Sequence, residues 1–154
     1  MTPEVVVCVA GGRDACALAS LRAAWTGAED AALERRIAAW LADEGDRRTT
    51  WLATLAGEPA GMASLFEYRR MPRADGPDSR WGYVGNVFVR DDLRNRGIGS
   101  AILAAIIAAA EERRYARLVT SPSPEALPFY GRAGFVVPDE RAGDDRLLVR
   151  PLDE

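Results

Sequence analysis

Histidine and lysine are both missing from this 154-residue sequence: the His count is zero and all 20 basic residues are Arg. Without His there is no Ser-His-Asp or Cys-His pair, no H-E-x-x-H zinc site and no imidazole proton shuttle. Without Lys there is no Walker-A lysine and no Schiff base, so backbone N–H groups and Arg must hold any phosphate. Cysteine is scarce too. Cys8 and Cys16 stand too far apart for a C-x-x-C motif, and no second pair exists to make a zinc site, so no metal is expected. Both cysteines read as small buried apolar residues in a reducing compartment. Long hydrophobic runs are absent. The longest, Ile98 to Ala110, is about 13 residues and Ala-rich, too short for a bilayer, and reads as a buried helix. The start, Met1-Thr2-Pro3-Glu4, has no basic n-region, so no leader is expected and the location reads as cytoplasmic, with no membrane partner.

What is present is ordinary for a globular protein, with 48% hydrophobic and 28% charged residues. The length suits one domain, 1–154, with room for one core. A net charge of −3 argues against a nucleic-acid binder, which normally carries a basic face.

The β-branched run Val5, Val6, Val7, Val9 predicts a first strand over 4–10, closed by Gly11-Gly12. Asp14 is placed to N-cap a helix through Trp25, and Glu29 and Asp30 open a second, with the stripe Leu33, Ile37, Trp40, Leu41, ending near Gly45. The period then changes to two. Strands are expected over 50–56 and 60–68 with a turn at Gly57-Glu58-Pro59, then a Pro/Gly/Asp/Arg-rich loop over 71–80. A strand over 81–90, a turn, and a helix from Gly97 to Arg114 follow. A strand over 117–121, a short helix over 127–133 starting close to Pro128, and a last hairpin pairing 135–137 with 147–151 complete the chain. Strand–helix–strand in the middle implies a parallel pair and the hairpins imply antiparallel neighbours, giving an α/β (α+β) fold. Its central sheet is mixed and mostly antiparallel, with helices on both faces.

The sharpest local feature runs Val87-Phe88-Val89-Arg90-Asp91-Asp92-Leu93-Arg94-Asn95-Arg96-Gly97-Ile98-Gly99-Ser100. A strand enters a turn with two glycines and two arginines that opens into the longest helix. Unpaired N–H groups and the positive end of the helix dipole suit an anion there. Gly97 and Gly99 remove Cβ atoms that would obstruct a diphosphate, and Arg94 and Arg96 add charge. The dinucleotide fingerprint has one more glycine, and the P-loop needs the missing Lys.

This run, Arg94-x-x-Gly97-x-Gly99 after a Val-rich strand, resembles the acetyl-CoA-binding motif of the GNAT superfamily of N-acetyltransferases. A second match follows about thirty residues later: Ser123, Ala126, Phe129-Tyr130 and Gly134-Phe135 resemble the family's other signature, with Ser123 standing where relatives have Asn. The resemblance extends along nearly the whole element order. It implies a splayed parallel strand pair, 81–90 with 117–121, holding the pantetheine arm against the backbone of Val87, Phe88 and Val89. It implies an N–H near Asn86–Val87 for the thioester oxygen, and the diphosphate on Arg94, Asn95, Arg96, Gly97, Ile98, Gly99 and Ser100, with Ser123 a further contact. Acetyl-CoA would be the cosubstrate and a primary amine of a small molecule or peptide the acceptor, attacking directly. Tyr130 takes the family position of the acid that protonates the thiolate.

Many relatives carry a Glu on the strand before the turn, whereas 81–86 here holds no carboxylate. An alkylammonium is only about a thousandth neutral at pH 7, roughly 4–5 kcal/mol of barrier, so deprotonation needs a route. Glu67, acting through water, is the nearest acidic candidate; a water oriented by Asn86 or by a backbone carbonyl, or a less basic amine, are alternatives. The first two helices and the 71–80 loop would form the acceptor wall. Trp25, Trp40, Trp81 and Tyr83 are aromatic candidates for it, although Trp40 sits on an apolar stripe that favours core packing. Relatives often use the final hairpin for dimer contacts, which leaves a homodimer open. The missing strand carboxylate also leaves a different class of function open, a catalytically silent acyl-CoA-binding or sensing module.

Overall fold

The chain's computed structural model describes residues 4–138 and 147–152. The strands are β1 (Val5–Val9), β2 (Arg48–Leu55), β3 (Glu58–Arg69), β4 (Arg80–Val89), β5 (Arg117–Thr120) and β6 (Leu148–Pro151). The helices are α1 (Ala15–Thr26), α2 (Leu33–Glu44), α3 (Ile98–Glu112) and α4 (Leu127–Arg132). The strands hydrogen-bond in sequence order into one mixed sheet, flanked by helices. β1–β2 and β5–β6 pair antiparallel, and β4–β5 is the parallel pair. This is the expected architecture.

Local differences have local causes. The β2–β3 turn falls at Ala56-Gly57, with φ of 52° and 82°, rather than at Gly57-Glu58-Pro59. Two consecutive positive φ values make the two-residue hairpin loop whose twist matches its strands, and that lets β3 begin at Glu58. Helix α2 starts at Leu33, later than Glu29 or Asp30, because Asp30 is occupied in the preceding turn. Its carboxylate accepts the Ala32 N–H at 2.8 Å and pairs with Arg36 at 2.7 Å. Asp14 precedes α1, but its carboxylate accepts the Gly11 N–H at 2.8 Å instead of capping the helix. The last hairpin reduces to one bridge, Val136 with Val149, while β6 builds its ladder on β5; the charged connection at 139–146 lies outside the described residues. The cysteine expectation is also corrected. Cys8 and Cys16 are exposed, since β1 is an edge strand and Cys16 lies on the outer side of α1.

Two compact units are built from these elements: Met1–Ser64 with Asn86–Ala105, and Leu65–Gly85 with Ile106–Glu154. In the first, Leu18 and Leu21 of α1 pack with Leu52, Met62 and Phe88, with Ile37 and Leu41 of α2 against them. Fully burying side chains of this size is worth about 1.5–3 kcal/mol each, which holds α1 to the strands, while α2 adds the partly buried Ile37 and Leu41. The second unit is centred on the buried Leu65, Val84, Tyr115, Leu118, Phe135 and Leu148.

Candidate active site

Strand β4 changes character along its length. Its parallel ladder pairs Gly82–Val84 with Leu118–Thr120, and the strand then runs on to Val89. At Asn86 the backbone takes φ 55°, a left-handed conformation that Asn tolerates better than most residues. The Asn86 amide holds the kink by donating to Ser64 Oγ at 2.9 Å. Val87 and Val89 follow half-buried, with Phe88 in the core. After β4, the Arg90 N–H donates to the Ala60 carbonyl at 2.9 Å, and a 3-10 turn covers Asp91–Leu93.

The bend at 94–97 combines two left-handed residues, Asn95 (φ 65°) and Gly97 (φ 82°), and ends at the buried Ile98. A Cβ at Gly97 would meet nothing within 4 Å, so conformation and not crowding calls for glycine there, and the backbone is open to an incoming group. The Ala101 N–H returns to the Gly97 carbonyl at 3.0 Å, so the N–H groups of Ile98, Gly99 and Ser100 precede the first intrahelical bond of α3. Arg94 is tethered to Asp91 at 2.8 Å, both side chains mostly solvated, an exposed pair of little energetic weight. Arg96 is exposed and makes no ion pair among the described residues. The seven residues from Arg94 to Ser100 thus make up one bend and the start of α3.

In the second unit, Tyr130 of α4 is 4% exposed, packed edge-on between Phe129 and Phe135 with ring centroids 5.0 and 5.3 Å away. Burial raises its phenol above the ordinary value, and a hydrogen bond with Thr120 pulls the other way. Thr120, also buried, donates to the Val84 carbonyl at 3.0 Å, tying the tyrosine's partner to the parallel ladder. Ser123, exposed, precedes the 3-10 turn Pro124–Ala126, and its hydroxyl bonds to Glu125.

Glu67 is 7% exposed near the end of β3. Tyr115 donates to its Oε1 at 2.6 Å, Arg69 Nε donates to Oε2, and Arg80 Nη1 reaches Oε1 at 3.5 Å. Burial pushes this carboxyl up, but those hydrogen bonds and the charges of Arg69 and Arg80 outweigh it and hold it below the usual carboxylate range. Burial, followed by the bond to Glu67, raises Tyr115. Trp81 packs on Tyr68 with centroids 5.0 Å apart.

The first unit also carries a half-open cavity of about 440 Å³. Leu18, Leu33, Ile37, Trp40, Met62 and Ala63 form its apolar wall, and Arg22, Arg48, Thr50 and Asn86 its polar points. Trp40 is thus a half-buried cavity wall rather than a core residue, because its stripe on α2 faces this space. Trp25 stacks on Phe88 at 5.4 Å. Sequence reasoning did not single out Arg22, Arg48 or Thr50. Isolated arginines on a helix and at a strand start carry no motif, and only the folding of α1 and α2 over β2 and β3 gathers them.

The sequence pattern of the acetyltransferase (GNAT) family matches residues 17–135, most of the chain and all of the strand–bend–helix just described. The chain belongs to the GNAT acetyltransferase family. Its fold is similar to that of an acetyltransferase from Trypanosoma brucei, at TM-score 0.75 and 20% identity, over 89% of this chain and 96% of that one. A GNAT-family acetyltransferase from Streptococcus pneumoniae matches at TM-score 0.74 and 20% identity, covering 97% and 100%. An acetyltransferase from Clostridium acetobutylicum, solved with acetyl-CoA, matches at TM-score 0.68 and 23% identity, covering 89% and 93%. At these identities the likeness is one of fold. Family membership brings acyl transfer from acetyl-CoA as the general activity. Among the described residues no group of three or more Cys, Asp or Glu is placed to hold a metal, and no helix is long and apolar enough to cross a membrane.

Proposed function

We propose that this GNAT protein transfers the acetyl group of acetyl-CoA directly to a primary amine of a small molecule or peptide. The observation that carries the reading is the single segment from Asn86 to Ser100. A left-handed residue, Asn86, lies within β4, and an open, glycine-bearing bend follows the strand at a helix start. Backbone groups of Val87, Phe88 and Val89 would hold the pantetheine arm, with an N–H after the kink donating to the thioester oxygen as negative charge develops on it. The N–H groups and arginines from Arg94 to Ser100 would receive the diphosphate.

Tyr130 is assigned the proton for the departing thiolate. Its raised phenol is fully protonated at neutral pH, which supports a donor role. Deprotonation of the amine has three candidate routes. Glu67 is ionised, but its oxygens are held by Tyr115 and two arginines, so it would act through a water. A water held by Asn86, or an acceptor of lower basicity, needs no carboxylate. The test is free-thiol release from acetyl-CoA across an amine panel. Thiol and acetylated amine in equal amounts are expected for at least one acceptor; tight acetyl-CoA binding with no release across the panel would instead mark a silent module.

A further inference from the structure

The cavity of the first unit has a composition that narrows the acceptor. Its lining carries two arginines and no carboxylate. Arg22 Cζ lies 4.6 Å from the centroid of the Trp25 ring, which is itself stacked on Phe88, so the cation is seated on the indole. A guanidinium carries five N–H donors, a set that can receive a carboxylate through two bonds. Among the described residues Arg22 has no carboxylate partner within ion-pair distance. Arg48 Cζ lies 5.4 Å from the Trp40 ring centroid, and its guanidinium pairs with Glu44, 2.8 Å away and outside the lining. Thr50, 6% exposed, also lines the cavity, and its buried hydroxyl has no hydrogen-bond partner among the described residues. The remaining wall is apolar. Asn86 closes the lining next to Val87, where the acetyl group is proposed to sit.

We infer that the acceptor is an amine carrying a carboxylate and an apolar body, an apolar amino acid or short peptide, with its carboxylate on Arg22 and its amine toward Asn86. The inference rests on the transferase reading above and adds the acceptor's class. A diamine would bring a second positive charge to the arginines. A sugar phosphate would match them in charge but strand its hydroxyls on Leu33, Ile37 and Met62. A cavity of about 440 Å³ accommodates a molecule of amino-acid to dipeptide size.

The experiment compares leucine with isoamylamine, which is leucine without its carboxylate, in the thiol-release assay. Loss of a charge-assisted contact corresponds to about ten- to a hundredfold, so kcat/KM for leucine is expected to exceed that for isoamylamine by this factor. Arg22→Gln is expected to bring the ratio near one, and Arg22→Lys to restore part of it, with melting curves showing that both variants fold. Equal kcat/KM for the two amines, or a ratio that survives Arg22→Gln, overturns the inference while leaving the transferase reading intact. If no amine releases thiol, the transferase reading fails, and the cavity is tested by calorimetric titration with leucine. Binding that Arg22→Gln abolishes then supports the carboxylate site, and no binding to the wild type overturns it.

Discussion

At Gly97 the φ of 82° and the empty space where a Cβ would stand separate two effects that usually come together. Gly97→Ala meets no atom but is strained, and is expected to cost about 1 kcal/mol of stability in a denaturant titration. Gly97→Glu adds a negative charge where the diphosphate is proposed to bind, and acetyl-CoA affinity by calorimetry is expected to fall by about ten- to a hundredfold. Near-wild-type affinity in the Glu variant would move the diphosphate elsewhere. Tyr130→Phe keeps the ring between Phe129 and Phe135 and removes only the hydroxyl. Turnover is expected to drop by about a hundredfold or more with little change in acetyl-CoA affinity, and an unchanged rate would take Tyr130 out of the chemistry.

At the scale of elements, the β4–β5 pair orders the tyrosine's surroundings. Thr120→Val leaves the Val84 carbonyl without its 3.0 Å donor and removes the bond that lowers the Tyr130 phenol. A loss of about 1–3 kcal/mol is expected by urea unfolding, together with an upward shift of the basic limb of the pH–rate profile. A melt and profile identical to wild type would contradict this coupling. The strand, bend and helix from Val87 to Ser100 were legible in the sequence because their chemistry is local: a valine-rich run, closely spaced glycines and an Ala-rich helix each act within a few residues. Tyr130 is singled out for a different reason, its place in a two-part family signature. The cavity was not legible. Arg22 on α1 and Arg48 on β2 are 26 positions apart and each reads as a solvated charge; packing of α1 and α2 against Leu52 and Met62 brings them onto one lining. Glu67 could be read as a carboxylate near the site, but its three partners come from β3, β4 and the segment after α3, and no spacing announces them.

For the molecule as a whole, those partners govern how stability responds to pH. The Glu67 carboxyl lies below its ordinary 4.5 in the fold, so its contribution is present above that value and is lost as pH falls through the folded value. Tyr115 lies above 10.0, so its contribution is complete below that value and is lost as pH rises through the folded one. Urea midpoints are therefore expected to hold steady between about pH 5 and pH 10 and to fall on either side. Glu67→Gln is expected to flatten the acid limb, at a cost of about 1–3 kcal/mol at neutral pH because Arg69 and Arg80 are well solvated and screen the loss. An acid limb as steep as wild type would assign it to other carboxylates. The measurement closest to the central claim is a crystal structure of this protein with coenzyme A bound. Diphosphate oxygens within hydrogen-bond distance of the N–H groups between Arg94 and Ser100, with the pantetheine arm along Val87–Val89, is the expected result. A diphosphate bound elsewhere, with that bend facing only solvent, would contradict it.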